Sequence, residues 1–149
     1  MYFKFSNNWF SGNAFNWYSL FDKLNFLKNK INILEIGSFE GQSTVFLLSK
    51  LKYSNIDCVD PWKNYKENLD DDFVKIEQNF DNNTLSYSDR VTKHKMSSKT
   101  FFDNKKNSDN IYDIIYIDGD HHFKNVYYDV DSSFKLLKKN GVLIIDDLI

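Results

Sequence analysis

Cysteine, proline and arginine each occur once in these 149 residues, as Cys58, Pro61 and Arg90. A single cysteine excludes an internal disulfide and any zinc site built from several cysteines. With one arginine and a formal net charge of -2, the chain lacks the basic cluster that grips nucleic acid. No basic amphipathic helix marks it for a membrane surface. No apolar run approaches the roughly 18 residues of a membrane span. The opening Met1-Tyr2-Phe3-Lys4-Phe5-Ser6 lacks the apolar stretch of a signal peptide. The expectation is a soluble, reduced, cytoplasmic protein with neither nucleic acid nor membrane as a partner. Hydrophobic residues at 42% and charged residues at 27% are those of a folded chain. Its length suits a single domain over 1–149, opened by an aromatic segment and helix over 1–30.

Helical and extended patterns alternate along the chain without an internal repeat. Phe15, Tyr18, Leu20, Phe21, Leu24 and Leu27 fall near helical spacing between Ala14 and Lys30. Ile31 to Ile36 reads as a first strand stopped by Gly37, and Gln42 to Leu51 as a helix with Val45, Leu48 and Leu51 facing inward. A second strand over Ile56–Asp60 ends at Pro61, which cannot donate to a sheet ladder. Phe73, Ile76 and Phe80 mark another helix. A weak strand over Arg90–His94 precedes a short helix carrying Phe101 and Phe102. The fourth strand, Tyr112 to Asp118, is much stronger. Val126, Val130, Phe134 and Leu137 then trace one face of a helix that Asn140-Gly141 is expected to stop, opening a last strand over Val142–Ile145. This alternation predicts an α/β sandwich with a parallel sheet and crossover helices. The unbroken Ile/Val/Leu runs of strands one, four and five predict burial on both faces.

In an open parallel sheet, ligands bind beyond the carboxyl ends of the strands. Four of the five predicted strands deliver acids to that edge. They are Glu35 with Glu40 after strand one, Asp60 after strand two, Asp118 and Asp120 after strand four, and Asp146-Asp147 after strand five. The turn Gly37-Ser38-Phe39-Glu40-Gly41 lacks the second glycine of a dinucleotide fingerprint, because Phe39 stands where a pyrophosphate must approach. An NAD-type oxidoreductase is disfavoured on that ground, and no P-loop is present. Asp60 follows Gly37 by 23 positions, the separation of a carboxylate that holds ribose hydroxyls. The combination points to a nucleoside without a pyrophosphate; the plain alternative is a tight turn.

These segments bring a family into view. Ile33-Leu34-Glu35-Ile36-Gly37-Ser38-Phe39-Glu40-Gly41-Gln42-Ser43-Thr44 resembles the first motif of class I S-adenosylmethionine-dependent methyltransferases, and Val59-Asp60-Pro61-Trp62 their second-strand acidic motif. Tyr116-Ile117-Asp118-Gly119-Asp120-His121-His122-Phe123 and Gly141-Val142-Leu143-Ile144-Ile145-Asp146-Asp147 resemble the group of macrocin-type sugar O-methyltransferases. The likeness runs from about Trp9 to Asp147. It implies a Rossmann-like three-layer sandwich whose five-strand sheet has the order 3-2-1-4-5, without the family's usual last two strands.

The resemblance also implies roles. Glu35 and the backbone around Gly37 and Ser38 would face the methionine part of S-adenosylmethionine. Asp60 would hold the ribose hydroxyls, Met96-Ser97 would border adenine, and Trp62 would cover the adenine face unless it is simple packing. Asp118, also at the cofactor, would join Asp146 and Asp147 in holding a divalent cation. Three carboxylates at neighbouring strand ends repel one another unless protonated or metal-bound, and oxygen-only ligands suit Mg²⁺ or Mn²⁺. The catalytic candidates are Asp118 and His121. Histidine titrates near neutrality, and of the adjacent pair His121-His122 only one side chain faces a cleft. A helix-start histidine making a hydrogen bond is the other reading. His94 and Cys58 read as structural.

The favoured function is metal-assisted O-methylation of a small hydroxylated acceptor such as a sugar. The alternative is a protein that binds S-adenosylmethionine or another nucleoside without transferring methyl, whether a truncated or a compact form. Strand five would be an apolar edge, which invites a homo-oligomer. Trp9, Phe10, Trp17 and Tyr18 could lie over the acceptor as an aromatic lid, or serve as the packed face of the first helix.

Overall fold

The computed structural model describes residues 3–8, 10–12, 14–63, 72–120 and 122–146. Strands β1 (Ile31–Ile36), β2 (Ser54–Asp60), β3 (Val91–Lys95), β4 (Tyr112–Ile117) and β5 (Leu137–Ile145) form one all-parallel sheet of order β3-β2-β1-β4-β5. Helices α1 (Ala14–Lys23), α2 (Gln42–Lys50), α3 (Phe73–Thr84), α4 (Ser98–Lys105) and α5 (Phe123–Leu136) cover its faces. Successive strand residues point to opposite faces, so each central strand feeds two cores. Ile33, Ile56, Ile114 and Tyr116 pack with Phe21, Leu47, Leu48 and Phe80 on one side. Leu34, Val59, Ile115 and Ile117 pack with Phe101, Phe102 and Leu136 on the other. Nearly every residue of β1 and β4 is buried, as their unbroken apolar runs require.

The lone arginine has a structural task. The Arg90 guanidinium donates to the carbonyls of Leu48, Leu51 and Lys52 at 3.1, 3.2 and 3.0 Å. It thereby satisfies the carbonyls that α2 leaves unpaired at its C-terminus. Among the described residues no helix is long and apolar enough to cross a membrane.

Four expectations need correction. The first helix stops at Lys23 rather than Lys30, because Asn25 turns into the left-handed region (φ 58°) and the chain continues as a 3-10 turn over Phe26–Lys28. Helix α5 ends at Leu136, and β5 begins at once, with Asn140-Gly141 inside the strand rather than before it. The pair carries an irregularity: Leu137 is opposite Tyr112, yet Val142 is opposite Ile114, and the extra residues are absorbed with Asn140 at φ 67°. Phe134 is 62% exposed, because the inward face of α5 runs through Asp129, Ser133 and Leu136. Two of those three are polar, which hid the face from an apolar periodicity. Finally, β5 is half-buried rather than buried on both faces, having one neighbouring strand among the described residues.

Candidate functional site

The site begins where β1 runs out. Gly37 has φ +88°, and a Cβ there would lie 2.0 Å from the Asp118 carbonyl oxygen. Only glycine lets the ends of β1 and β4 come this close, with the Asp118 amide donating to the Ile36 carbonyl at 2.8 Å. Positive φ recurs at Phe39 (45°) and Gly41 (79°), so the turn alternates its handedness up to the first residue of α2. Phe39 therefore takes a conformation that costs a side-chain-bearing residue about 1 kcal/mol. Its neighbours offset this. The Phe39 amide donates to Asp60 Oδ2 at 3.0 Å, the Trp62 amide to Asp60 Oδ1 at 2.7 Å, and Trp62 Nε1 to the Phe39 carbonyl at 2.8 Å. Burial pushes the Asp60 carboxyl above the usual aspartate range, against the Trp62 and Phe39 amides that hold it down.

Behind this turn lies Glu35, fully buried. It accepts from Ser43 Oγ at 2.6 Å and from Thr44 Oγ1, both in the first turn of α2. Burial pushes its carboxyl up, and the Ser43 and Thr44 hydroxyls oppose that. Cys58, beside it in the sheet register, is fully buried, and burial followed by the Glu35 charge drives its thiol well above the ordinary range. Such a thiol is not a nucleophile.

A cleft opens at the carboxyl edge, where the strand order reverses between β1 and β4. Gly37, Ser38, Tyr116, Asp118 and Asp146 line it from the sheet, and Phe5, Asn7 and Phe10 from the N-terminal segment. Tyr116 Oη lies 2.8 Å from Asp118 Oδ2 and 3.1 Å from Asp146 Oδ2, so its one proton is shared between two carboxylates, with Asp118 the nearer. Burial first, then the Asp118 charge and hydrogen bond, push this phenol far above the usual tyrosine range, and it stays a donor at any physiological pH. The Trp17 ring meets it edge-on at 4.6 Å.

The structure thus gathers Gly37, Ser38, Asp118 and Asp146 around one cleft. Glu35 stands behind it, and Asp60 and Trp62 brace the turn from the β2 side. The Trp62 ring is 3% exposed, packed on Phe80 at 4.8 Å with the Lys93 ammonium 4.7 Å from its centroid. Met96 and Ser97 follow β3, next to the end of β2. Ser97 caps α4, its Oγ accepting from the Thr100 amide at 3.2 Å. His121 and Asp147, predicted as catalytic and metal-binding, lie outside the described residues. Its neighbour His122 is exposed and bonds Asp120 through both its amide and its ring. Of the aromatic segment, Phe10 and Trp17 are buried and Tyr18 is half-exposed, while Trp9 lies outside the described residues. The sequence reading passed over Tyr116, although strand alternation places it on one face with Asp118 and two positions before it. It also passed over Phe5 and Asn7, for which no local signal exists.

The model of the methyltransferase domain family matches residues 34–148. The chain belongs to that family. A protein of Acanthamoeba polyphaga mimivirus, R132, is 29% identical over 124 residues, 82% of this chain and 53% of the relative. Among solved structures, an O-methyltransferase from Bacillus cereus in complex with SAH superposes with a TM-score of 0.69 at 20% identity, over 94% of this chain and 58% of that one. The MycE methyltransferase of the mycinamycin biosynthetic pathway, in complex with Mg and SAH, gives 0.62 at 17% identity, over 97% and 36%. The methyltransferase domain described here has the class I fold of these enzymes. It spans about half the length of the curated relative it matches.

Proposed function

We propose that this methyltransferase domain binds S-adenosylmethionine in the cleft between β1 and β4 and transfers its methyl group to a hydroxyl of a small acceptor, such as a sugar. The observation that carries the reading is the cleft itself. Its floor at Gly37 admits no side chain. Beside it Ser38 lines the cleft, with its side chain turned toward the buried Glu35 and Cys58. The turn is immobilised by Asp60 and Trp62, and Asp60 keeps lone pairs for vicinal hydroxyls beyond the turn amides it accepts. Met96 and Ser97 would border the base on the β3 side.

When bound, the cofactor supplies an electrophilic methyl on sulfur. The chain has then to hold the acceptor hydroxyl in line with that methyl and to ease loss of the hydroxyl proton. Asp118 and Asp146 face the cleft as the oxygen donors a hard cation takes, and Asp147 follows directly in sequence. Among the described residues no group of three or more His, Cys, Asp and Glu side chains gathers. In this reading a Mg²⁺ or Mn²⁺ on Asp118, Asp146 and Asp147 would lower the pKa of the acceptor hydroxyl, and His121 would take its proton. MycE, whose fold this chain shares, was solved with Mg. A second copy of the chain could pair along the β5 edge, as a homo-oligomer.

Calorimetric titration with S-adenosylmethionine and S-adenosylhomocysteine, with and without Mg²⁺ and with NAD as control, tests the assignment. Both sulfur nucleosides should bind and NAD should not; NAD binding, or no binding of either nucleoside, overturns it. With an acceptor in hand, Asp118→Ala should fold and lose methyl transfer.

A further inference from the structure

Residues 3–8 run along the cleft and are tied to its glycine turn by Asn83 of α3 and by Glu40 of the turn itself. The Lys4 amide donates to Asn83 Oδ1 at 2.9 Å, and Asn83 Nδ2 donates back to the Lys4 carbonyl at 2.9 Å. The same Nδ2 reaches the Glu40 carbonyl at 2.9 Å. Two residues on, the Ser6 amide and Ser6 Oγ both donate to Glu40 Oε2, at 2.6 and 3.0 Å. Glu40 Oε1 accepts from Asn79 Nδ2 at 2.7 Å. Glu40 is only 3% exposed, a carboxylate enclosed by an amide, a hydroxyl and a carboxamide. It belongs to the turn between Gly37 and Gly41, so its backbone is shared with the floor of the cleft.

Lys4 and Ser6 face this latch, while Phe5 and Asn7 line the cleft together with Asp118 and Asp146. Phe5 and Asn7 alternate with the fastened Lys4 and Ser6 along the chain, so the bonds that hold the strap also place Phe5 and Asn7 at the cleft. Truncating one partner of a buried, charged hydrogen-bond group is costly, which makes Glu40 the bond on which strap and turn depend together.

We propose that residues 4–7 are part of the cofactor site, and that Glu40 is the positioning residue coupling them to the glycine turn. A sulfonium nucleoside lying on Gly37 and Ser38 holds the strap closed, and the closed strap holds the nucleoside. The coupling is reciprocal, as any linkage between two sites must be. It rests on the assignment of the cleft to S-adenosylmethionine.

Hydrogen exchange and calorimetry on the full chain, with S-adenosylhomocysteine as the probe, test it. In the wild type the probe should slow exchange of the Lys4 and Ser6 amides. Glu40→Ala removes the acceptor of the Ser6 amide, so it should expose that amide and weaken the probe about tenfold, with unfolding midpoints recorded alongside. Glu40→Gln keeps an acceptor for Ser6, the Asn79 amide being able to turn over, and should stay within about threefold. Ser6→Pro removes both Ser6 donors while leaving the turn untouched, and decides the matter if Glu40→Ala fails to fold. Ser6→Pro should match Glu40→Ala in affinity. Wild-type affinity in Ser6→Pro, or no slowing of the Lys4 and Ser6 amides by bound probe, overturns the coupling alone. Failure of the wild type to bind the probe overturns the cofactor assignment and the coupling with it.

Discussion

Two carboxylates meeting at a cleft must lower their mutual repulsion somehow, and Tyr116 supplies part of the answer. Its hydroxyl is held protonated by burial and by the charges it serves, and its one proton is shared between Asp118 and the more distant Asp146. Hydrogen bonds to charged acceptors are worth more than neutral ones, about 1.5–3 kcal/mol. Tyr116→Phe keeps the packing against Trp17 and deletes only the donor. It should lower the unfolding free energy by about 2 kcal/mol at neutral pH, read from urea denaturation. An unchanged midpoint would mean that other neighbours of the two aspartates suffice. A second residue-scale consequence concerns Phe39. Taken from sequence, Phe39 argued against a pyrophosphate; in the structure it also occupies a left-handed position between two glycines that share that handedness. The turn geometry survives a bulky residue at its centre because Asp60 and Trp62 hold its amide and its carbonyl.

Between α4 and α5 the packing of elements creates a titrating group that neither helix would have alone. Asp129 is 2% exposed, on the inward face of α5, and Oδ1 lacks a hydrogen-bond partner among the described residues. Burial, with help from the Asp120 charge and against the Ser98 hydroxyl, raises its carboxyl to about 6. The folded state therefore holds this proton more tightly than the unfolded chain, whose aspartate titrates near 4. Stability from this group is complete below pH 4, declines as pH rises, and is gone above about pH 6. Asp129→Asn cannot ionise. It should be more stable than the wild type by about 2 kcal/mol above pH 7, and its melting temperature should vary less between pH 4 and 7. Parallel pH dependences for the two proteins in thermal melts would contradict the assignment. The sequence showed α5 as a helix but misplaced its buried face, because Asp129 and Ser133 are polar residues in apolar positions. Only the packing of α4 against α5 reveals which face is hidden.

For the molecule as a whole, the sheet has two edges, and β5 is the more apolar. Val142, Leu143, Ile144 and Ile145 are half-buried, and the outer side of the strand meets no further strand among the described residues. An edge of that composition is a template for pairing. In sedimentation velocity the chain should associate as its concentration rises, toward the mass of a dimer. A monomer at every concentration would show that the edge is protected in another way.

What the sequence determined by itself was everything that depends on local periodicity and on strand polarity. The fivefold alternation of strand and helix, the continuous apolar runs of β1 and β4, and acids at four strand ends were legible because each arises from residues close together in the chain. The parallel direction of the strands follows from those runs and from right-handed crossovers, whereas their order came only with the family resemblance. The family resemblance already put Asp118 beside Asp146; the tertiary structure alone decided what each acid is bonded to. It placed Asp118 and Asp146 on one phenol, set Glu35 behind the turn against α2, and brought Lys4 and Ser6 to Asn83 and Glu40. The contacts of Lys4 with Asn83 and of Ser6 with Glu40 join residues 79 and 34 positions apart. No local pattern encodes such pairs. They form because buried polar groups must find partners wherever the packed core brings them, and that is settled only when the chain has closed.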